Sequence, residues 1–245
     1  MDATHIIRDA VMHVAQLRHT AANTPGLALA VRQIKALQAR RFAGTYADLF
    51  QSEPYRLAGR FFLEELYSAK DYTGRDAQFA RIAGALERIF PAQVVQTAVL
   101  LAQLHHLSET LDMAMAQHWL RHAGVPDVAR YGAAWRDVGR RPDRDLQLAS
   151  VVNLGRELDR LTRTPGLRLM LKMMRGPANL AGLGALQKFL ESGFDTFVAM
   201  GKQGKSASYF LETLQARESK LMRLLFDADP LICETEINHL LGQAR

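Results

Sequence analysis

The chain reads as all-α, a single bundle-like domain of about nine to eleven helices, and three observations carry that reading. Apolar residues recur at spacings of three and four along most of the length, the period of an α-helix. No sustained alternation of apolar and polar residues bounded by turns occurs, and β-branched residues are sparse. Proline and glycine punctuate the periodic stretches and mark where helices begin and end.

Residues 3 to 22 carry Ile6, Ile7, Ala10, Val11, Val14 and Leu17 at helical spacing. Thr24-Pro25 opens a second helix through Leu27, Leu29, Val31, Ile34 and Leu37. Arg40-Arg41 lie near its end, where cations suit the helix dipole. Ser52 and Pro54 start a third stretch, PYRLAGRFFLEELYSAKDY, interrupted at Thr73 or Gly74. Arg75 to Phe90 is a fourth helix, with Phe79, Ile82, Leu86 and Ile89 or Phe90 inward. Pro91 opens and Gly124 and Pro126 close the longest helix, and the rest of the chain is organised around it. A shorter helix, Pro126 to Val138, holds Tyr131 and Trp135.

Gly139 to Asp145, GRRPDRD, is the most polar stretch and a candidate exposed connection. It offers a weak subdivision of the domain, although seven residues is also an ordinary link between helices. Asp143 or Asp145 can cap the next helix, which runs to Arg163, and Pro165-Gly166 ends it. A short helix is expected to stop before Gly176-Pro177, and another spans Ala178 to Met200. GKQGKSAS is a turn, Ser208 to Phe226 is the last long helix, and a terminal piece follows Pro230. No repeat at a fixed period is present, which disfavours a solenoid.

A chain of 245 residues can bury a sizeable core. Its 48% hydrophobic and 23% charged residues suit a globular protein, and no apolar run reaches the length of a membrane span. Asp2 and Asp9 stand where a signal peptide wants positive charge and an apolar run, so export is not indicated. Cys233 stands alone, which excludes an internal disulfide and any multi-cysteine metal site, and favours a cytoplasmic setting. The net charge of +6 permits an acidic partner without identifying one.

The best lead lies on the long helix. Leu100, Leu104, Leu107, Leu111 and Met115 form one apolar stripe, and a second through Val94, Ala98 and Leu101 continues into His105, Glu109 and Asp112, with His106 to one side. Imidazole and carboxylates at these spacings suit a divalent metal if Glu64, Glu65, Asp71 or Asp76 join them, but the Glu-x-x-His pairs of di-iron bundles are missing. A buried network with Arg60, Arg75 or Arg81 satisfies the same groups, because buried charges are normally paired, and it is preferred. His118 and His122 are one turn apart, yet they lack a zinc-protease glutamate and a third ligand, and the helix C-terminus favours histidine anyway. No metal site is therefore assigned, and no cofactor is identifiable.

From Arg160 to Leu190, Arg160, Arg163, Arg168, Lys172, Arg175 and Lys188 meet no acidic residue, and 168, 172 and 175 share a helix face beside a methionine-rich one. That basic surface suits an anionic membrane, though a core helix with a solvated edge explains it as well. Nucleic acid is disfavoured, since no aromatic side chain among these charges can stack on a base. Glycines in Ala181-Gly182-Leu183-Gly184-Ala185 suggest a close helix contact. No phosphate loop, serine elbow or activated cysteine is recognisable.

Phe61-Phe62-Leu63-Glu64-Glu65-Leu66-Tyr67, Asp71-Tyr72, Arg75-Asp76 and Gln78-Phe79-Ala80-Arg81-Ile82 together resemble the signature of an uncharacterised proteobacterial helical family with a Phe-Phe-Leu-x-x-Leu-Tyr motif. LHHLSETLD, residues 104 to 112, resembles that group's central helix, so the likeness spans most of the chain. It implies a bacterial, cytoplasmic, helical protein and no particular reaction. The motif's aromatic residues surround a helix almost completely, which predicts that it packs on the central helix and brings Glu64 and Glu65 near His105 and Glu109. Three functions follow: a non-enzymatic protein binding a partner or small ligand, preferred; a metal- or haem-dependent helical oxidase; and a peripheral membrane protein.

Overall fold

The computed structural model describes residues 2–66, 72–202 and 207–244, and in them the chain forms twelve α-helices and no strand. The two shortest, α3 (Ala47–Gln51) and α4 (Arg56–Phe61), are single turns, so the expected number of long helices holds. Tyr67 and Asp71 of the motif, and residues 203–206 of the 201–208 turn, lie outside the described residues.

Helix α6 (Ala92–Arg121) is the central post, opened by Pro91 as expected. Around it stand α1 (Ala3–Asn23), α2 (Leu27–Thr45), α7 (Asp127–Val138) and α8 (Arg141–Thr162), with α5 (Thr73–Ile89) wedged against α1. Helices α9 (Leu167–Leu180), α10 (Gly184–Lys202), α11 (Ala207–Asp227) and α12 (Pro230–Gln243) complete the bundle. Two aromatic-rich cores result. One gathers Phe42, Tyr46, Tyr55, Phe61, Phe62 and Phe210, and the other gathers Trp119, Tyr131, Trp135, Leu225 and Ile237.

Several local expectations are corrected. The motif stretch is not one regular helix on the central post: after a 3-10 turn at Glu53–Tyr55 come α4 and then a wide π-type turn at Phe62–Leu66. It packs chiefly on α3 and α10, because Phe61 stacks on Phe189 and Phe62 meets Phe42 and Phe210. Helix α9 runs through Pro177 and stops at Gly182, whose φ of +67° places it at the left-handed position of a helix stop. The amide of Leu183 reaches back to Ala178 O and that of Gly182 to Asn179 O, which satisfies carbonyls the helix end would orphan. Gly182 is thus a turn residue and not a close helix contact. Arg81 donates to the carbonyls of Ala181 and Gly182 at 3.0 and 2.8 Å.

Neither Asp143 nor Asp145 caps α8, which begins at Arg141 after Arg140 takes a left-handed φ of 47°. Only Gly139 and Arg140 link α7 to α8. Arg41 does not end α2 but lies buried within it, 2.6 Å from Glu218 of α11. One local motif also recurs: Thr24-Pro25-Gly26-Leu27 and Thr164-Pro165-Gly166-Leu167 make the same turn, with glycine φ of 75° and 78° and the leucine buried.

Candidate functional site

Helices α2, α4, α5, α6, α7, α8, α10 and α11 line a cavity of about 220 Å³. Its composition follows from phase. On α6, Leu101, Leu104, His105, Ser108, Glu109 and Asp112 line it, and on α8 Arg144, Gln147, Leu148, Val151 and Leu158 do, each set at helical spacing. Apolar residues of those stripes meet Phe61, Phe79, Leu186 and Phe189. The polar residues meet Lys35, Gln38 and Arg41 of α2, Tyr131 and Trp135 of α7, and Glu218 of α11. The space is therefore amphipathic, apolar at one end and densely polar at the other. A depression of about 620 Å³ between α6 and α8, with Gln93, Gln96 and Glu157 in its wall, is more open.

The predicted residues His105, Glu109, Asp112 and Asp76 are brought together here. Asp76 Oδ2 accepts from Arg18 at 2.8 Å and lies 3.0 Å from His105 Nε2. Burial alone would raise its pKa, but His105 and the Arg18 guanidinium hold the carboxyl below its usual range. Glu109 accepts from Lys35 Nζ at 2.6 Å, with Arg18 a further 4.0 Å contact. Asp112 is buried. Burial pushes its carboxyl up and the Glu109 charge adds to that, against the pull of Lys35 and Arg144. Arg75 lies 3.7 Å from Asp76, donates to Glu65 O at 3.1 Å, and is sandwiched between the rings of Tyr72 and Phe189 at 4.1 and 4.5 Å.

Other expectations fall elsewhere. Glu65 lines the cavity, but Glu64 is exposed and 4.0 Å from Arg60, while Arg81 caps α9. The cations that serve the site are Arg18, Lys35, Arg41 and Arg144, which sequence reasoning passed over. A signal for them exists: Lys35, Gln38 and Arg41 recur at three-residue steps beside buried Ile34, and Arg144 stands in phase with Val151 and Leu158.

His118 and His122 both face Asp137 of α7, at 3.7 and 2.7 Å, and the His122 hydrogen bond lowers the pKa of Asp137. His106 stacks on His13 of α1 with ring centroids 5.0 Å apart. Among the described residues no group of three or more His, Cys, Asp or Glu is arranged to hold a metal. On α9 the basic residues are not without acids: Arg168 pairs with Asp195 and Arg175 with Glu191 of α10, at 2.8 and 2.7 Å. No helix among the described residues is long and apolar enough to cross a membrane.

No curated protein and no solved structure matches the chain. One family model does, over residues 17–231, a span that holds the central helix and every cavity-lining residue named above. The chain belongs to the family described as "Domain of unknown function (DUF8198)".

Proposed function

We propose that this protein binds a small amphipathic molecule in the cavity between α6 and α8. The observation that carries the reading is the cavity's split lining, phenylalanine and leucine at one end and buried charge at the other. A cavity of about 220 Å³ far exceeds the roughly 10–15 Å³ that seats a single water, so it suits a small organic molecule rather than an ion. The carboxylates do not favour the oxidase alternative, because the Lys35 ammonium sits on Glu109 and a guanidinium on Asp76, where cations would repel a divalent metal. The lone buried Cys233 fits action in a reducing interior such as a bacterial cytoplasm.

Octan-1-ol and octanoate serve as probes, followed by the fluorescence of Trp119 and Trp135 and by calorimetry. Saturable one-to-one binding of at least one of them is expected, and its loss in Leu104→Trp, which fills the cavity from a half-buried position. Absence of saturable binding by both probes, or binding undiminished in a folded Leu104→Trp, overturns the reading.

A second reading has one observation behind it. Leu169, Met173 and Leu180 of α9 are 62%, 69% and 93% exposed on one stripe beside Lys172, which suits attachment to an anionic membrane surface. Co-sedimentation with phosphatidylglycerol vesicles, lost in Leu169→Glu/Met173→Glu, tests it.

A further inference from the structure

We infer that the molecule bound in this cavity carries a carboxylate, seated at the end walled by Asp112, Tyr131, Trp135 and Arg144; the inference rests on the ligand-binding reading above and names its chemistry.

The first ground is hydrogen bonding. Trp135 lines the cavity and is 6% exposed, and its indole N–H has no hydrogen-bond partner among the described residues. An indole N–H only donates, so whatever satisfies it must be an acceptor; an ammonium cannot. The Tyr131 hydroxyl, one turn away on α7, is buried as well and has no partner at hydrogen-bonding geometry, although Gln38 stands beside it. Leaving such groups unmet inside a protein is destabilising, which favours a bound acceptor.

The second ground is charge. The Arg144 guanidinium, 4% exposed, lies 4.0 Å above the Trp135 ring and donates to Gln147 at 3.2 Å. Lys35 and Arg41 stand on the neighbouring helix. Of the acids at this end, Glu109 and Glu218 are each held by a cation at 2.6 Å, and Asp112 is drawn on by both Lys35 and Arg144. An arginine on an aromatic face beside an indole donor is a fitting seat for a carboxylate, which accepts from both. The third ground is the body of the ligand: Phe61, Phe79, Leu158 and Phe189 line the rest of the space, with the Arg75 guanidinium over the Phe189 ring, so an apolar body fits against them.

The test compares octanoate, octan-1-ol and octylamine, which share a body and differ in the head. Octanoate is expected to bind at least tenfold more tightly than octan-1-ol, and octylamine not to saturate. Trp135→Phe keeps the ring and removes the donor; there octanoate affinity should fall at least threefold, and by more than that of octan-1-ol, with calorimetry as readout. Arg144→Gln, if its circular dichroism matches the parent, should erase the preference. Should octan-1-ol or octylamine bind as tightly as octanoate, the carboxylate is overturned while the cavity reading stands. If octanoate keeps its full advantage over octan-1-ol in Trp135→Phe, the seat is misplaced and the inference fails. When none of the three binds, the ligand-binding reading itself is lost.

Discussion

Replacing Lys35 by methionine isolates the central ionic contact. The ammonium is 2.6 Å from Glu109 Oε1, an attraction of about 6 kcal/mol at an effective dielectric near 20. Much of that is offset by desolvation of both groups, and stripping one partner from a buried pair typically costs about 3–5 kcal/mol. Two features here reduce the loss: the Lys35 side chain is 20% exposed, and Arg18 remains 4.0 Å from the same oxygen. The expected cost is therefore about 2–3 kcal/mol, or roughly 5–10 °C in melting temperature for a chain of this size. Urea unfolding followed by circular dichroism measures it. In Lys35→Met/Glu109→Met the orphaned charge is gone, and stability should return to within about 1 kcal/mol of the parent. Additive losses in the double variant would refute the pairing, since independent sites add and coupled ones do not.

Asp76 and Asp112 depart from 3.8 in opposite directions, so their asparagine variants should respond oppositely to pH. Asp76, held below that value, contributes stability that is full above it and lost as pH falls through the lower folded value; the cost of Asp76→Asn should shrink on acidification below about pH 4. Asp112, raised, contributes most below 3.8 and loses that contribution as pH rises through its folded value, so Asp112→Asn should gain on the parent toward neutrality. Urea unfolding at several pH values checks both signs. In Gly44→Ala the new Cβ would stand 1.7 Å from Leu240 O, a backbone atom that cannot step aside, and α12 must shift at a cost of about 3 kcal/mol. Gly74→Ala meets nothing within 4 Å and should stabilise by about 0.5 kcal/mol, so thermal melts of the pair separate the clash from helix propensity.

The fold was legible because its signal is local. Pro91 at one end and Gly124 with Pro126 at the other bound α6 within a few residues, and Phe210, Leu211 and Leu214 marked the buried face of α11. Errors cluster where backbone geometry outvotes pattern. Pro177 was tolerated in the last turns of α9, whereas Gly182, whose left-handed φ ends that helix, looked like a packing residue. Phe61 to Leu66 has the composition of a regular helix, but satisfying Phe42, Phe189 and Phe210 at once requires a wide turn. Half of the site was legible on the same terms. His105, Glu109 and Asp112 stand out as polar residues in an apolar stripe, and nothing local names their partners, because Arg18, Lys35 and Arg144 come from three other helices.

Those partners share one signature with the central cluster, and it bears on why the layer exists. On α6 the cavity face runs from Leu101 and Leu104 into His105, Glu109 and Asp112, and on α8 it runs the other way, from Arg144 and Gln147 into Val151 and Leu158. Each stripe changes from apolar to polar partway along, and α6 packs against α8 so that the polar parts meet. The fold does not need this. Apolar residues of similar volume at the same positions commonly match or exceed the stability of a buried ionic layer. Helix packing likewise leaves Trp135 with an unmet donor, although a phenylalanine would fill much the same place. Stability therefore accounts for the apolar end of the cavity and not for the polar one. The proposed ligand would account for both, its body covering the phenylalanines and its head accepting from the donors that line the polar part of the cavity.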